Sequence, residues 1–408
     1  MADSVSVTSH HSYGSRVGNS LKNILGWLLL LVISIGLLVR NENNFVKEKA
    51  SLNEWASIIQ EASINQIDSS LEWSAVHLYW ETASSDESLQ DNVFWITTDD
   101  LKLKRTVEMY QWYEESSEHC TDNLWWSEDC TTTYNYYKEW SDNRINSNSF
   151  HESNGHNNPS NWEYDSTQQT KSPITLWTYT LSSTFTNQLT NYQTINLNEQ
   201  NIKTPEQYAD NSDNFHIQND YIYIWKNPSE PTVWDLRITF SSVKTWTISI
   251  AGKQVWNELT SYTTSNGRNF ALLEQWNVTA DDMFQHAQQA NKMTTWIIRL
   301  GGLLLMFLAF SMMMQFIETL AKVIPFLSKV IGVWTGIIAF CLTLVLWFIV
   351  IGLAWIAVRP VVWISCLVVA AAGIFLLSKS KKNKKENNPE SPEQPKSENS
   401  ESTEVIEA

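Results

Sequence analysis

Four apolar runs constrain this chain more than anything else in it. One stands alone near the start, at residues 24–39, and three are crowded between 299 and 377. Crossing the hydrocarbon of a bilayer takes about 20 apolar residues, with a range of about 17–25. The run at 24–39 is slightly short by itself, but Leu21 and the snorkelling stems of Lys22 and Arg40 extend it. The runs at 299–317 and 330–358 are long enough, and 361–377 sits at the lower limit with Lys379 beside it. Only Arg359-Pro360 separates the last two, which reads as a tight turn at a membrane surface. Buried helices of a soluble protein are the alternative, but these runs are too long and too free of charge. No small-x-small cleavage site follows the first run, so a retained anchor is expected there.

The expected architecture is a multispan α-helical membrane protein of four spans. A large α+β, strand-rich domain at 40–298 lies between spans one and two. A polar N-terminus (1–23), a short loop (318–329) and a disordered tail (378–408) complete it. Orientation follows lysine and arginine near the span ends. Lys379, Lys381, Lys382, Lys384 and Lys385 follow the last span, so the C-terminus is expected in the cytosol. Four spans then put the N-terminus and the loop with Lys322 and Lys329 on the same side, although Arg40, Lys47 and Lys49 oppose this. The large domain is expected in a periplasm, or in the lumen of the endoplasmic reticulum or nuclear envelope. The chain's net charge is −16, and this domain carries more than all of it. Such a surface repels nucleic acid and anionic headgroups, so no nucleic-acid partner is expected. The lysine cluster favours an anionic leaflet by about 1 kcal/mol per lysine, and a purely topogenic role explains it equally.

Within the domain the apolar period changes. Residues 1–20 are polar and read as flexible, and the helix of the first span extends towards Trp55. Residues 95–97, 101–112, 131–140, 174–181, 221–225, 235–240 and 245–251 read as strands. In 104–112, Val107, Met109 and Gln111 fall on one face, and Glu108, Tyr110 and Trp112 on the other. This strand and 131–140 would form a hairpin. Cys120 and Cys130 would lie at its tip, and an oxidising compartment favours a disulfide between them. Two free thiols, or a metal site with His119, are the alternatives. Residues 141–170 read as loop. Thr204-Pro205 opens a short helix. Thr279 caps a helix at 281–292 that runs on into the second span.

Catalytic signatures are scarce. The chain has no Ser-His-Asp signature, phosphate-binding glycine loop, HExxH or zinc spacing, so no cofactor, metal or catalytic residue is assigned. His151 and His156 read as surface histidines. Tryptophan is the compositional outlier, at 21 residues. Trp125-Trp126 at the hairpin tip are either a sticky element for a partner or the membrane interface, or packing within the domain. Gly332 and Gly336 form a GxxxG, which serves intramolecular packing or dimerisation. No span carries a charge at its centre, which argues against ion transport.

The chain resembles the transmembrane protein 43 (LUMA) family, including its bacterial relatives. The carriers are Tyr13-Gly14-Ser15-Arg16 before the first run and Asn41-Glu42 after it. They continue with Arg105-Thr106-Val107-Glu108-Met109-Tyr110-Gln111-Trp112, Trp140, His156-Asn157-Asn158-Pro159 and Asp235-Leu236-Arg237-Ile238. Arg299-Leu300-Gly301-Gly302, Val323-Ile324-Pro325-Phe326-Leu327 and Arg359-Pro360 close the pattern. The resemblance implies four spans and a large lumenal or periplasmic domain. It also implies a scaffold that organises envelope or endomembrane complexes, with lamin- and emerin-like partners only in a eukaryote. It implies no catalytic residue. The expected contact residues are Arg105, Glu108, Tyr110, Trp112, Trp125, Trp126, His156, Pro159 and Arg237, with membrane lipids, membrane proteins and a second copy as partners. The alternative is a lipid-handling or envelope-maintenance enzyme. A membrane-proximal pocket that gathers Arg105, Glu108, His156 and Arg237 would favour it.

Overall fold

The structure, a computed structural model, describes residues 3–123, 127–200, 202–209, 212–321, 325–357, 364, 365 and 368. The chain divides into a unit of Met1–Val350 and a second of Ile351–Ala408, and the contacts discussed below lie in the first. Among the described residues, three helical segments are long and apolar enough to cross a membrane: Leu25–Ile58, Ala280–Phe316 and Trp334–Ala357. They sit in helices α1 (Tyr13–Ile58), α2 (Ala280–Ala321) and α3 (Pro325–Ala357). The fourth expected span, 361–377, falls almost wholly outside the described residues, as do Trp125, Trp126 and the lysine cluster Lys379, Lys381, Lys382, Lys384 and Lys385.

Thirteen strands of three or more residues are described. They are β1 (Asp3–His11), β2 (Ala75–Glu81), β3 (Lys102–Asp122), β4 (Glu128–Ser141), β5 (Thr167–Thr170), β6 (Ile174–Leu176) and β7 (Tyr179–Leu181). After these come β8 (Phe215–Ile217), β9 (Tyr221–Ile224), β10 (Leu236–Val243), β11 (Thr247–Val255), β12 (Glu258–Thr260) and β13 (Leu272–Gln275). One sheet runs β1-β4-β3-β10-β9-β8, with β5 also on β3; the other holds β2-β11-β12-β7-β6, with β13 on β11. The strand-rich α+β domain between the first two spans is therefore as expected. The link after β10 crosses between the sheets: β10 pairs with β3 and β9, while β11 pairs with β2 in the other sheet. β10 is buried on alternate residues, whereas β11 is buried continuously from Ile248 to Gly252, and neither pattern names the strand's partner.

The expectation of a flexible N-terminal segment is also corrected. Residues 3–11 form β1, antiparallel to β4 from Asp3↔Tyr136 to His11↔Glu128. Ser6 and Thr8 meet Thr133 and Thr131 through their hydroxyls, at 3.1 and 3.0 Å. Alternating Ser and Val supply the β-branched and hydroxyl pairs that an edge strand uses. Polarity alone reads as disorder, because β1 buries almost nothing.

Each sheet covers its own core. Phe94, Val107, Ile222, Ile238 and Phe240 lie beneath the first, and Val76, Leu78, Leu176, Phe185 and Ile250 beneath the second. Fully burying one such side chain contributes about 1.5–3 kcal/mol. A third cluster of Leu52, Trp55, Ala251, Met283 and Phe284 fastens α1 and α2 to the second sheet. The two helices run antiparallel, meeting at Trp55–Phe284, Asn41–Thr295, Leu38–Gly302 and Gly26–Met312. At Gly302 an added Cβ would lie 2.6 Å from Leu38, so only glycine permits this approach. Thr279 accepts from the Asp282 amide at 3.2 Å and starts α2, with Asp281 and Asp282 at its positive end.

The turns hold a surprise. Every described non-glycine residue with positive φ is a tryptophan: Trp73 (63°), Trp95 (61°), Trp177 (51°), Trp225 (129°), Trp234 (92°), Trp256 (55°) and Trp276 (72°). Trp177 explains why 174–181 reads as one strand but forms two. Leu176 pairs with Tyr179, so Trp177-Thr178 is a two-residue hairpin loop. Trp256-Asn257 is another, between Val255 and Glu258. Such loops call for glycine, asparagine or aspartate at the positive-φ position, whereas tryptophan by composition reads as strand.

Candidate contact surfaces and the membrane junction

The hairpin β3–β4 carries most of the expected contact residues. Its register, from Met109↔Ser141 to Asp122↔Glu128, sets Cys120 opposite Cys130, and the two sulfurs are bonded. The thiol and metal alternatives therefore fall away: neither cysteine offers a thiolate, although Glu118 is nearby. His119 pairs across with Thr131.

Alternation along β3 separates these residues into two groups. Arg105 points into the core with Val107 and Met109. Its Nη1 donates to Asp91 Oδ2 at 2.7 Å and its Nε to the Asp165 carbonyl at 2.9 Å. Both partners of this ion pair are buried. Asp91 Oδ1 also accepts from the amides of Val93 and Phe94, so the pair clamps the turn below the sheet. Glu108, Tyr110, Trp112 and Glu114 occupy the other face. Arg237, opposite Glu108 in register, donates to it from Nε at 2.8 Å and lies 4.8 Å over the Trp140 ring. Trp140 packs on Tyr110 at 5.3 Å and on Tyr223 at 6.0 Å. Tyr223 donates to Asp235.

Further out on this face, Trp112 and Asn158 exchange hydrogen bonds between main chain and side chain, at 2.8 and 2.9 Å. Pro159 is buried next to Asn158. Trp112 meets His156 edge-on at 4.7 Å and carries the Lys138 ammonium at 4.3 Å. His156 is buried, contrary to its reading as a surface histidine, because it stacks on Tyr136 at 3.9 Å. Its Nδ1 faces the Glu152 carbonyl at 2.9 Å and its Nε2 faces Asp3 Oδ2 at 3.2 Å. His151 stacks on Tyr134 at 4.1 Å. The result is a continuous aromatic and charged layer on the sheet, half-buried at Glu108, Tyr110 and Trp112 and buried at Tyr136, His156 and Tyr223. It is not a pocket, since Arg105 lies on the opposite face from Glu108, Arg237 and His156.

Tyr136 donates to Glu114 Oε2 at 2.7 Å and accepts from the Glu152 amide at 2.9 Å. Burial, reinforced by the Glu114 hydrogen bond, pushes its phenol up to about 12 from 10.0. The unfolded phenol ionises first, so the stability held by the neutral form is intact below pH 10 and falls as pH rises from 10 towards 12. Burial also raises Tyr164, Tyr208 and Tyr223. Tyr136→Phe is therefore expected to flatten, not abolish, the alkaline fall in Tm. An unchanged slope between pH 10 and 12 would refute the assignment.

The second place of interest is one that the sequence does not mark as a site. Where α1 and α2 leave the apolar zone, Glu42 is fully buried. It accepts from Arg299 Nε at 2.7 Å and Nη2 at 2.8 Å, a bidentate pair. Asn41 Nδ2 donates to the Thr295 carbonyl at 3.1 Å, and Asn291 Nδ2 to the Phe45 carbonyl at 3.2 Å. Trp347 of α3 donates from its indole to the Arg299 carbonyl at 2.9 Å, and Arg299 lies 4.8 Å over Trp296. Two segments far apart in sequence, Asn41-Glu42 and Arg299–Gly302, thus form one junction. The available signal was a lone acid and a lone arginine, each at the edge of an apolar run. Beside the junction lies a groove of about 400 Å³, lined by Asn44, Glu48, Arg268, Phe270 and Asn291. Within it Arg268 donates to Glu48 at 2.6 Å. The GxxxG lies elsewhere: Gly336 faces open space, and the side-chain environment of Gly332 is outside the described residues.

These features define a membrane-integrated protein with long apolar helices and a large disulfide-bonded, strand-rich domain. A family model described as "Transmembrane protein 43" matches residues 109–360, and the chain belongs to that family. Mouse transmembrane protein 43 is 27% identical over 381 residues, covering 89% of this chain and 92% of the mouse protein. The human protein is 26% identical over 369 residues, covering 87% and 89% respectively. The Drosophila melanogaster transmembrane protein 43 homolog is 31% identical over 282 residues, covering 67% of this chain and 71% of its own. No solved structure matches the chain.

Proposed function

We propose that this protein is an integral membrane scaffold that organises envelope or endomembrane protein complexes. The observation that carries the reading is the junction. Helices α1 and α2 continue unbroken from apolar spans into the domain, locked by Glu42–Arg299 and by the Trp55 cluster. A body fixed in this way presents its surfaces at a set height and angle to the bilayer, as assembly of other membrane proteins requires. The contact surfaces are the Glu108–Trp112 face of the hairpin and, for a second copy, the Gly332–Gly336 stripe. The Cys120–Cys130 bond supports a domain outside the cytosol, in a periplasm or an endomembrane lumen. The N-terminus has two arrangements that exclude each other. Pairing of β1 with β4 keeps it on the domain's side only with α1 out of the bilayer, whereas an α1 that crosses the bilayer, as the basic residues favour, puts β1 on the opposite side and requires it to leave β4. Impermeant thiol labelling of Ser6→Cys in sealed vesicles distinguishes them, and the paired strand is labelled from the domain's side alone.

Crosslinking in native membranes followed by mass spectrometry tests the scaffold. Recovery of membrane proteins or of a second copy is expected, and recovery of lipid alone overturns the reading. The second reading, a lipid-handling protein, rests on the groove with Arg268 beside the junction. Tight co-purification of one lipid class, lost in Arg268→Ala, would favour it.

A further inference from the structure

Seven tryptophans occupy backbone conformations that belong to glycine, and nothing about tryptophan explains why. Five of them, Trp73, Trp95, Trp225, Trp234 and Trp276, are held by their main chains, donating to the carbonyls of Gln254, Asp91, Asn214, Tyr110 and Thr247. Trp177 and Trp256 open two-residue hairpin loops. The fold thus uses the backbone at these positions. The indoles project outward and are 44–73% exposed. For a residue with a Cβ the left-handed region is a small window near φ of about +50 to +70°. Trp225 at 129° and Trp234 at 92° lie well outside it. Tryptophan has no short polar side chain with which to bond its own backbone there, as asparagine or aspartate has. Composition does not account for the set: tryptophan is 21 of 408 residues, yet it takes every described non-glycine position with positive φ.

The other tryptophans behave differently. Trp55 is fully buried in a helix among Tyr262, Phe270 and Phe284. Trp112 and Trp140 hold Lys138 and Arg237 over their rings. Ring contacts alone do not sort the two groups, since Lys203 lies 4.9 Å over Trp95 and Lys253 5.4 Å over Trp73; the backbone does, because Trp55, Trp112 and Trp140 lie within a helix and strands and none has positive φ. Two populations of one residue type, sorted by backbone conformation, are what a single codon with a different meaning would produce.

We propose that the seven turn positions are glycine in the protein as its own cell makes it, encoded by UGA. Different genetic codes read this triplet as stop, tryptophan or glycine. Trp55, Trp112 and Trp140 are then encoded by UGG, which is tryptophan in either reading. It follows that these seven exposed indoles are not an interaction surface, and that the natural domain presents bare, tight turns at these positions.

Peptide mass spectrometry of the protein isolated from its native membranes tests this directly, with Trp55, Trp112 and Trp140 as internal controls. Glycine's residue mass at the seven positions and tryptophan's at the three controls is the expected result. Tryptophan at Trp177 or Trp256 overturns the proposal. A second arm needs no native material. The full chain is produced as written and with all seven positions changed by Trp→Gly, both in the same micelles. The substituted protein is expected to melt at a clearly higher temperature, and an equal or lower Tm overturns the claim that these are glycine positions.

Discussion

Arg299→Met is expected to destabilise the protein by about 3–5 kcal/mol, because it leaves Glu42 as an uncompensated charge in a fully buried site. Glu42 loses both guanidinium hydrogen bonds at once. Its side chain has no solvent exposure, and the apolar run ends at Val39, three residues away. The double variant Arg299→Met with Glu42→Leu removes both charges. It is expected to recover most of the loss, since replacing a whole buried pair by apolar groups is often close to neutral. Thermal melts of the three proteins in one detergent check the cycle. A single variant that costs less than about 1 kcal/mol would show that the junction is not the lock described above.

The second large effect comes from two ion pairs placed three residues apart on opposite faces of β3. Arg105→Met should cost about 3–5 kcal/mol, since Asp91 is buried and keeps only its amide partners from Val93 and Phe94. Arg237→Met breaks the pair with Glu108, whose partners are 32% and 23% exposed, and should cost about 1 kcal/mol or less through charge. Loss of the stem packed on Trp140 adds a modest packing contribution. Because the two arginines face opposite sides of the sheet, their effects should add. Equal losses for the two variants would mean that the burial of Arg105 is not what makes it costly to remove. The same comparison separates structure from contact: partner recovery in crosslinking should respond to Arg237, and not to Arg105 beyond its effect on stability.

Three of the four expected membrane helices, the hairpin with its bonded cysteines and the face assignment along 104–112 were legible, because each rests on a strong periodic or chemical signal. The Thr279 cap was legible for the same reason. Elsewhere local pattern was outweighed. The segment 1–20 reads as disordered, since an exposed edge strand such as β1 needs no apolar residue. The split of 174–181 into β6 and β7 was hidden by Trp177, which stands where a turn residue is needed. His156 was misplaced because its burial depends on Tyr136, twenty residues away in sequence and adjacent only through the hairpin. The Glu42–Arg299 junction escaped for a related reason. Each residue alone looks like an ordinary charge flanking a span, and only the antiparallel packing of α1 on α2 brings them together.

The hairpin has one further property, which is its reach. Beyond Trp112, β3 continues for ten residues to Asp122, paired with β4 throughout. At the rise of a β-strand that is about 33 Å, close to the thickness of a bilayer's hydrocarbon core at about 30 Å. The covalent tie at Cys120–Cys130 sits near the far end, where β1 also pairs along β4 as far as Glu128. A ribbon of that length, tied near its end, carries the outer residues of the hairpin about one hydrocarbon thickness from Trp112, so that distance as well as surface chemistry sets what lies within its reach.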